Sequence, residues 1–532
     1  MSDFEKSDRD AAAHLDHKEP EHGGDQDDLA AVIASSNIQR WSATSIKLYL
    51  SVFCSCCCAF ANGYDGSLMT AIEAMPHFQQ TFNVGTTGAL IGTVFSLYTV
   101  GSMIGAPFAA VLSDKYGRRK AMFAGSWVII VGMIIMATSS HIAQFIVGRF
   151  ILGFGIAIMT VAAPAYSMEI APPQWRGRCT GIYNCGWFGG SIPAAAVTFG
   201  TSYINSNLSW RLPVIFQAVA CFIVIGLVFV IPESPRYLIA NGDVEGAHAF
   251  LTKYHGNGDP NAPLVQFELK EMQASISQDG IDKRWWDYRP LFLTRGGRWR
   301  MTQVLMISIF GQFSGNGLGY FNTVIYNNLG ITSVAKQLGY NLLNQVVSAI
   351  CALSAASITD RMPRRAILPA GTLMCAVLLG INSGLSAVLD RQTHRGDGSV
   401  SSSVAQGALA AYFLFNCMYS FTYTPLQGVL PVESLTTTMR AKGLAASGFI
   451  VSAIGFINQF AGPIGLANLG YKYIYVFVGW DVVEAVLWYL LCVESQGRSL
   501  EELDWIYEQP HPVKASKMYK KIVVSEGGFI AN

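Results

Sequence analysis

From about residue 45 onward the chain is a succession of long apolar stretches joined by short polar ones, with one long polar interruption. The apolar stretches run approximately 47–70, 87–111, 121–138, 143–167, 178–200 and 211–231, then 301–326, 337–358, 366–389, 405–430, 444–467 and 472–493. A helix needs about 20 apolar residues to cross a bilayer, and only helices or closed barrels satisfy their backbone there. Segments this long and continuous predict an all-α polytopic membrane protein of twelve transmembrane helices in two groups of six. The interruption at 232–300 separates the groups. Within it, DVEGAHAFLTKYHG sets Val244, Ala247, Leu251 and Tyr254 at helical spacing, and PLVQFELKEMQASI reads as a second amphipathic helix. The expected organisation is a disordered acidic cytoplasmic tail (1–44), an N-terminal six-helix half (45–231), a cytoplasmic linker (232–300), a C-terminal six-helix half (301–493) and a cytoplasmic tail (494–532).

Composition agrees with the pattern. Of 532 residues 51% are hydrophobic and 13% charged, against roughly 25% charged in a soluble domain, so much of the surface faces lipid. The formal net charge of +1 gives no basis for a nucleic-acid partner. The eleven cysteines have no metal or disulfide spacing, and Cys54, Cys56, Cys57 and Cys58 lie in an apolar run, which makes them packing residues. Residues 1–44 hold ten acidic and four basic residues, too polar to fold alone or to form a cleavable leader. Lys115, Arg118, Arg119 and Lys120 fall on the same side as the linker, Arg361, Arg364, Arg365, Arg440 and Lys442. The loops near 71–86, 139–142 and 201–210 contain no Lys or Arg. The positive-inside rule then puts both termini in the cytoplasm, and the sequon at Asn207 outside as a glycosylation site.

The two groups of six repeat one another. Asp114-Lys-Tyr-Gly-Arg118-Arg119 after the second span is matched by Asp360-Arg-Met-Pro-Arg364-Arg365 after the eighth. Glu169 precedes Arg176 by seven residues, and Glu433 precedes Arg440 by seven. Matched halves are the construction of a rocking carrier.

These motifs, in order, resemble the sugar-porter branch of the major facilitator superfamily: GYDG (63–66), DKYGRRK (114–120), GRF (148–150), EIAPPQWRGR (169–178), PESPR (232–236), GQFSGNG (311–317), DRMPRR (360–365), ESLTTTMRAKG (433–443) and ESQGRSLEE (494–502). The resemblance covers nearly all of 45–510. YNCGWFGGSIPAA (183–195), YHGNGDP (254–260) and DKRWWDYRPL (282–291) are similar to fungal cellodextrin and lactose permeases. It implies a plasma-membrane carrier, monomeric, with a sugar as ligand, the proton as coupling ion and no other cofactor. The substrate it implies is a β-linked disaccharide or short oligosaccharide.

Charge inside a membrane is expensive and marks function. Asp65 and Arg149 lie deep in the first and fourth spans, and the resemblance implies proton coupling by an acid and base that face each other. A static ion pair is the alternative. Asp481 and Glu484, in the last span, have no role that the family implies. Cytoplasmic gating is assigned to Asp114, Arg118, Arg119, Glu169, Arg176, Glu233, Arg236, Asp360, Arg364, Arg365, Glu433, Arg440 and Glu494, with topology and snorkelling alone as the alternative. A sugar needs amides for its hydroxyls and aromatic faces for its C–H surfaces. The candidates are Asn184, Trp187, Ser191, Gln312, Asn316, Asn322, Gln345 and Asn458, each of which is otherwise helix–helix glue.

Relative to the hexose-porter pattern, glycines stand at 311, 317 and 428, and Asn184 replaces a glutamine. Lost bulk, above all at Gly428 in place of a tryptophan, predicts room for a second sugar ring. The rival readings are a facilitative uniporter, a sugar sensor, which the short C-terminal tail disfavours, and an embedded enzyme, for which no nucleophile–base or metal constellation is present.

Overall fold

The computed structural model describes residues 41–532 except 174–175, 282–287, 359–360, 395–401, 497, 499, 518–521, 526–527 and 532, without the side chains of Arg176 and Arg440. Residues 1–40 of the acidic tail and Asp360 therefore lie outside the described residues.

Six helices make the first half: α1 (Ala43–Ile72), α2 (Ala89–Tyr116), α3 (Arg118–Ala137), α4 (Ile142–Ile170), α5 (Arg176–Thr201) and α6, in two pieces (Leu208–Phe216 and Ala218–Val228). The second half has α7 (Arg295–Phe313), α8 (Val334–Ile358), α9 (Arg364–His394), α10 (Ser402–Ser434), α11 (Thr437–Leu469) and α12 (Tyr473–Leu491). Each covers one of the apolar stretches. Among the described residues, eight helical stretches, one running through α11 and α12, are long and apolar enough to cross a bilayer. Helices α5 and α10 fall short because Gly, Asn, Gln, Ser and Thr dilute them, and α7 because it breaks.

The break corrects the expectation of one continuous span over 301–326. After Phe313 the chain passes through Gly315 at φ 87°, makes a 3-10 turn (Asn316–Phe321), and resumes as a short helix (Asn322–Asn328). That φ favours glycine, and a Cβ at Gly315 would also lie 2.5 Å from the Phe415 ring. Discontinuous helices of this kind expose backbone and amides in mid-membrane.

Packing follows the repeat, except that Phe321, Val324, Leu338 and Leu466 of the second half join the first core. One core joins α1–α6 through residues such as Leu152, Phe145 and Trp210, and a second joins α7–α10 and α12 through Phe310, Tyr412 and Trp488. At the α1–α5 crossing, a Cβ on Gly63 or Gly190 would run into the backbone of Trp187 or Phe60, so small residues set how closely these helices approach. Large apolar side chains remain exposed on the helices, including Phe108, Phe222, Leu353, Val377 and Val483, the composition of a surface solvated by lipid.

The linker forms the two expected amphipathic helices, Val244–Tyr254 and Pro263–Ile281. Ala247, Leu251 and Val265 belong to the first core. His255 Nδ1 is 2.5 Å from Glu268 Oε2, and its Nε2 is 3.1 Å from the Ile170 carbonyl at the end of α4. The linker is thus pinned to the N-terminal half. The all-helical expectation missed one feature, a two-stranded antiparallel ribbon, β1 (Ile522–Ser525) with β2 (Gly528–Ala531), whose β-branched and aromatic residues favour strands.

Candidate functional site

Asp65 of α1 and Arg149 of α4 meet inside the first half. Arg149 Nη1 lies 2.6 Å from Asp65 Oδ1, with the two residues 2% and 1% exposed. Gln217 of α6 donates to the same oxygen at 3.0 Å, and Tyr98 of α2 carries the guanidinium over its ring, 4.8 Å from the centroid. Pairing and hydrogen bonding both stabilise ionised groups this deep, and both are present here. Gln217 and Tyr98 were not singled out in the sequence, although a glutamine within an apolar span was the available signal.

The amides expected at the sugar site divide into two groups. Gln312, Asn316 and Asn458 come together: Asn316 Nδ2 donates to Gln312 Oε1 at 3.2 Å, and Asn458 Nδ2 donates to the Gln312 carbonyl at 2.8 Å. All three sit at the break of α7 or on the facing part of α11. Asn184, exposed on α5, looks across to α10. Asn322 is instead turned into the C-terminal half, where it donates to Asn341 at 3.1 Å and accepts from Tyr412 at 2.5 Å. It is committed to structure there. Trp187 packs with Phe188 on Ala349 and Ala352 of α8, Ser191 is fully buried, and Gln345 is half-buried on α8.

The three glycines do not leave the space that their sequence positions promised. A Cβ at Gly428 would meet Asn184 Nδ2 at 2.9 Å, and one at Gly317 would meet the Asn458 amide carbon at 2.9 Å. One at Gly311 would collide with the amide of Gln427. Each lost side chain has been replaced by an amide reaching in from a neighbouring helix. These amides set donors and acceptors beside the three glycines, and at Gly428 a Cβ would meet only Asn184. Gln427, another residue the sequence reading missed, also donates to the Tyr419 hydroxyl at 3.0 Å, and Tyr419 in turn donates to the Gly311 carbonyl. A separate cavity of about 590 Å³ between α1, α5 and the end of α4 is lined by Leu48, Val52, Phe60 and Ile182. It contains none of these amides and offers a sugar little to bind.

At one end of the molecule the acid–arginine residues form two matching networks. In the first half Arg118 pairs with Glu169 at 3.0 Å, with exposed Asp114 at 3.4 Å beside it. Arg119 donates to the Val228 carbonyl at 2.6 and 2.9 Å, Glu233 accepts from the backbone of Arg119 (3.4 Å) and Ser234 (3.0 Å), and Ser234 Oγ donates to Glu169. In the second half Arg364 pairs with Glu433 at 2.7 Å. Arg365 donates to the Cys492 carbonyl at 2.7 Å, Glu494 accepts from the backbone of Arg364 and Arg365 at 3.0 Å, and Ser495 Oγ donates to Glu433 at 2.6 Å. Group for group, the second network repeats the first. Burial pushes the Glu233 carboxyl upward, against the pull of its backbone N–H donors and the nearby arginines. Arg236 has no ion-pair partner among the described residues. Each of these bonds among the described residues joins elements of one half, so they clamp each half internally.

The halves touch chiefly towards the opposite end. Thr99 of α2 donates to Gln459 of α11 at 2.7 Å, the Gly88 amide donates to the Pro463 carbonyl at 3.3 Å, and Thr323 donates to Glu73 at 2.9 Å. A Cβ on Gly92 would lie 2.7 Å from the Phe460 carbonyl, so the α2–α11 contact is backbone on backbone. At that same end Asn207 is exposed and accepts from Thr81, while Ser209 of its sequon is buried in the first turn of α6.

Comparison with known proteins fits this geometry. A family model described as "Sugar (and other) transporter" matches residues 51–507. The low-affinity glucose transporter HXT3 of Saccharomyces cerevisiae is 27% identical, over 92% of this chain and 88% of that protein. The MFS-type transporter criB of Aspergillus cristatus is 26% identical, over 86% and 93%. Among solved structures, the xylose transporter XylE from E. coli, in a partially occluded inward-open conformation, superposes with a TM-score of 0.70 at 17% identity, covering 86% of this chain and all of that one.

Proposed function

The chain belongs to the sugar transporter family, and from that premise we propose a proton-coupled carrier of a β-linked disaccharide or short oligosaccharide at the plasma membrane. It is a multi-pass membrane protein of the major facilitator fold, and it is a transporter, not an enzyme. The observation that carries the proposed coupling is the buried contact of Asp65 with Arg149 at 2.6 Å. A carboxylate in a dry cavity is stable ionised beside a guanidinium and costly without it. A rocking motion that parts α1 from α4 therefore drives Asp65 to take a proton, and the return motion expels it.

The pair is wired to the sugar cavity. Tyr98 stacks on Arg149, and Tyr320, beside the α7 break, faces both Asp65 and Arg149 and lies within hydrogen-bonding reach of Gln459. The amides that fill the three glycine positions support a longer, hydroxyl-rich substrate, because they multiply polar partners where a tryptophan platform would grip a single ring. With the basic loops inside, the networks mark the cytoplasmic end, both termini are cytoplasmic, and the described state opens inward as a monomer.

The test is uptake of labelled cellobiose, lactose and glucose in cells lacking their own carriers, with and without a protonophore. Protonophore-sensitive accumulation of a disaccharide is the expected result. Uptake indifferent to pH and protonophore would make the Asp65–Arg149 pair structural and the protein a uniporter.

A further inference from the structure

The C-terminal half contains a second pair of carboxylates that the coupling scheme does not use. Asp481 and Glu484 of α12 are both fully buried, and three residues apart they share a helix face. Glu484 accepts a hydrogen bond from Ser314 of α7, the residue immediately before left-handed Gly315, and its Oε2 lies 3.4 Å from the Tyr423 hydroxyl of α10. Tyr423 is itself held by Thr372 of α9 at 2.7 Å and by the Trp488 indole N–H at 3.2 Å. Asp481 is different. Both of its carboxylate oxygens are enclosed and neither has a hydrogen-bond partner, whereas in Glu484 only Oε1 is left so.

The ionisable groups facing the pair are Cys375 from α9 and Tyr419 and Tyr423 from α10; α7 contributes only the Ser314 hydroxyl. Neither carboxylate has an ion-pair partner among the described residues. Two bare charges in such a place would cost many kcal/mol, so a cation must accompany them. A metal ion does not suit the donor set, because the Ser314 hydroxyl already points its hydrogen at Glu484, and no cluster of three metal-binding side chains is found among the described residues.

We propose that Asp481 and Glu484 form a second proton-binding site, one proton to the pair, governed by the break in α7. Glu484, which accepts from Ser314 and Tyr423, bears the charge, and Asp481, which has no donor, holds the proton. Gln312 and Asn316 of the sugar cavity stand two residues to either side of Ser314. A sugar that draws those amides inward moves Ser314 away from Glu484 and removes a bond that stabilises its charge. Glu484 then takes up a proton delivered as hydronium from bulk solvent and becomes a neutral acid, and it returns the proton to bulk solvent when Ser314 comes back. The site itself stands on α12 and its neighbours and does not depend on the role of Asp65.

The test is infrared difference spectroscopy on the full-length protein in lipid nanodiscs at neutral pH, without sugar. The spectrum of the wild type minus that of Asp481→Asn should contain the C=O stretch of a protonated carboxylic acid, which survives Asp65→Asn; the buried carboxyl of Glu73 is common to both proteins and cancels. Absence of that band from the difference spectrum overturns the proposal. So does its disappearance when choline chloride is replaced by sodium chloride, which would make the ligand a metal cation. If Asp481→Asn does not fold, Glu484→Gln decides the matter: the band should shift in frequency as its charged neighbour is removed, and an unshifted band overturns the shared site. No sugar enters this measurement, so its failure leaves the carrier reading standing, and failed sugar uptake leaves this site standing.

Discussion

Asp65 bonds to Arg149 and Gln217 through one oxygen. Asp65→Asn keeps the shape and an acceptor for both donors but cannot cycle a proton. We expect it to abolish uphill accumulation and sugar-evoked alkalinisation while leaving counterflow within a few-fold of wild type. Arg149→Gln should be worse, because it strands a buried carboxylate, typically a loss of about 3–5 kcal/mol; lowered yield and melting temperature in detergent would register it. Equal tolerance of the two substitutions would refute the pairing argument. At Gly428, where a Cβ already meets Asn184 at 2.9 Å, Gly428→Trp should expel that amide. Disaccharide uptake should then fall at least tenfold with protein still at the membrane, and unchanged uptake would show that Asn184 is not a sugar ligand. The pattern of acids in apolar spans disclosed Asp65, Arg149, Asp481 and Glu484, because an intramembrane charge stands out in any sequence. Gln427 and Gln217 stayed hidden because an amide in a helix shows its importance only through what lies opposite. The neighbour of Gly428 was hidden for the same reason: a sequence records the atoms missing at a position, not that Asn184 reaches towards it.

Among the elements, the linker turn at Glu233 gives a pH-dependent prediction. Its carboxyl is raised by burial, so the stability associated with its neutral form is complete below the ordinary carboxylate range and is lost as pH rises through the folded value. Glu233→Gln is permanently neutral and retains one acceptor for the Arg119 and Ser234 amides. Its melting temperature relative to wild type should therefore rise between about pH 4 and pH 7; a constant difference across that range would refute the direction of the shift. The span boundaries were legible to within a few residues because helix length is imposed by the bilayer. The break in α7 was not, although SGNGLG advertises it, because an apolar run still reads as one span when its interruption is made of small residues. Asn322 was misjudged with it. Past the break, the helix restarts in a new orientation, and a residue that would face the cavity in a continuous helix points into the bundle.

For the molecule as a whole, the closed end is the end without the networks, and function requires that it open. Thr99–Gln459, Thr323–Glu73 and the backbone contact at Gly92 must separate together. Because Gly92 abuts the Phe460 carbonyl, Gly92→Leu should wedge α2 from α11 and hold the molecule in its other state. Uptake should be lost, and cysteines placed near residue 114 should become protected from polar thiol reagents. Normal uptake by that variant would mean that this seam does not close in the cycle. The twofold plan itself was legible, since the Asp–Arg–Arg and Glu–Arg spacings repeat. What the repeat did not disclose is that the described pairs stay within one half: Arg118 finds Glu169, and Arg364 finds Glu433.

That self-containment bears on how such a protein can be built. The linker helices are pinned to the first half by His255, Glu268 and the Ile170 carbonyl, and the described ion pairs of each network lie within one half. A gene divided within residues 282–287 would therefore encode two fragments, each with its own described stapling interactions. Expressed together in one cell, they should find each other in the bilayer and restore uptake by complementation, with the covalent join serving only to keep their numbers equal.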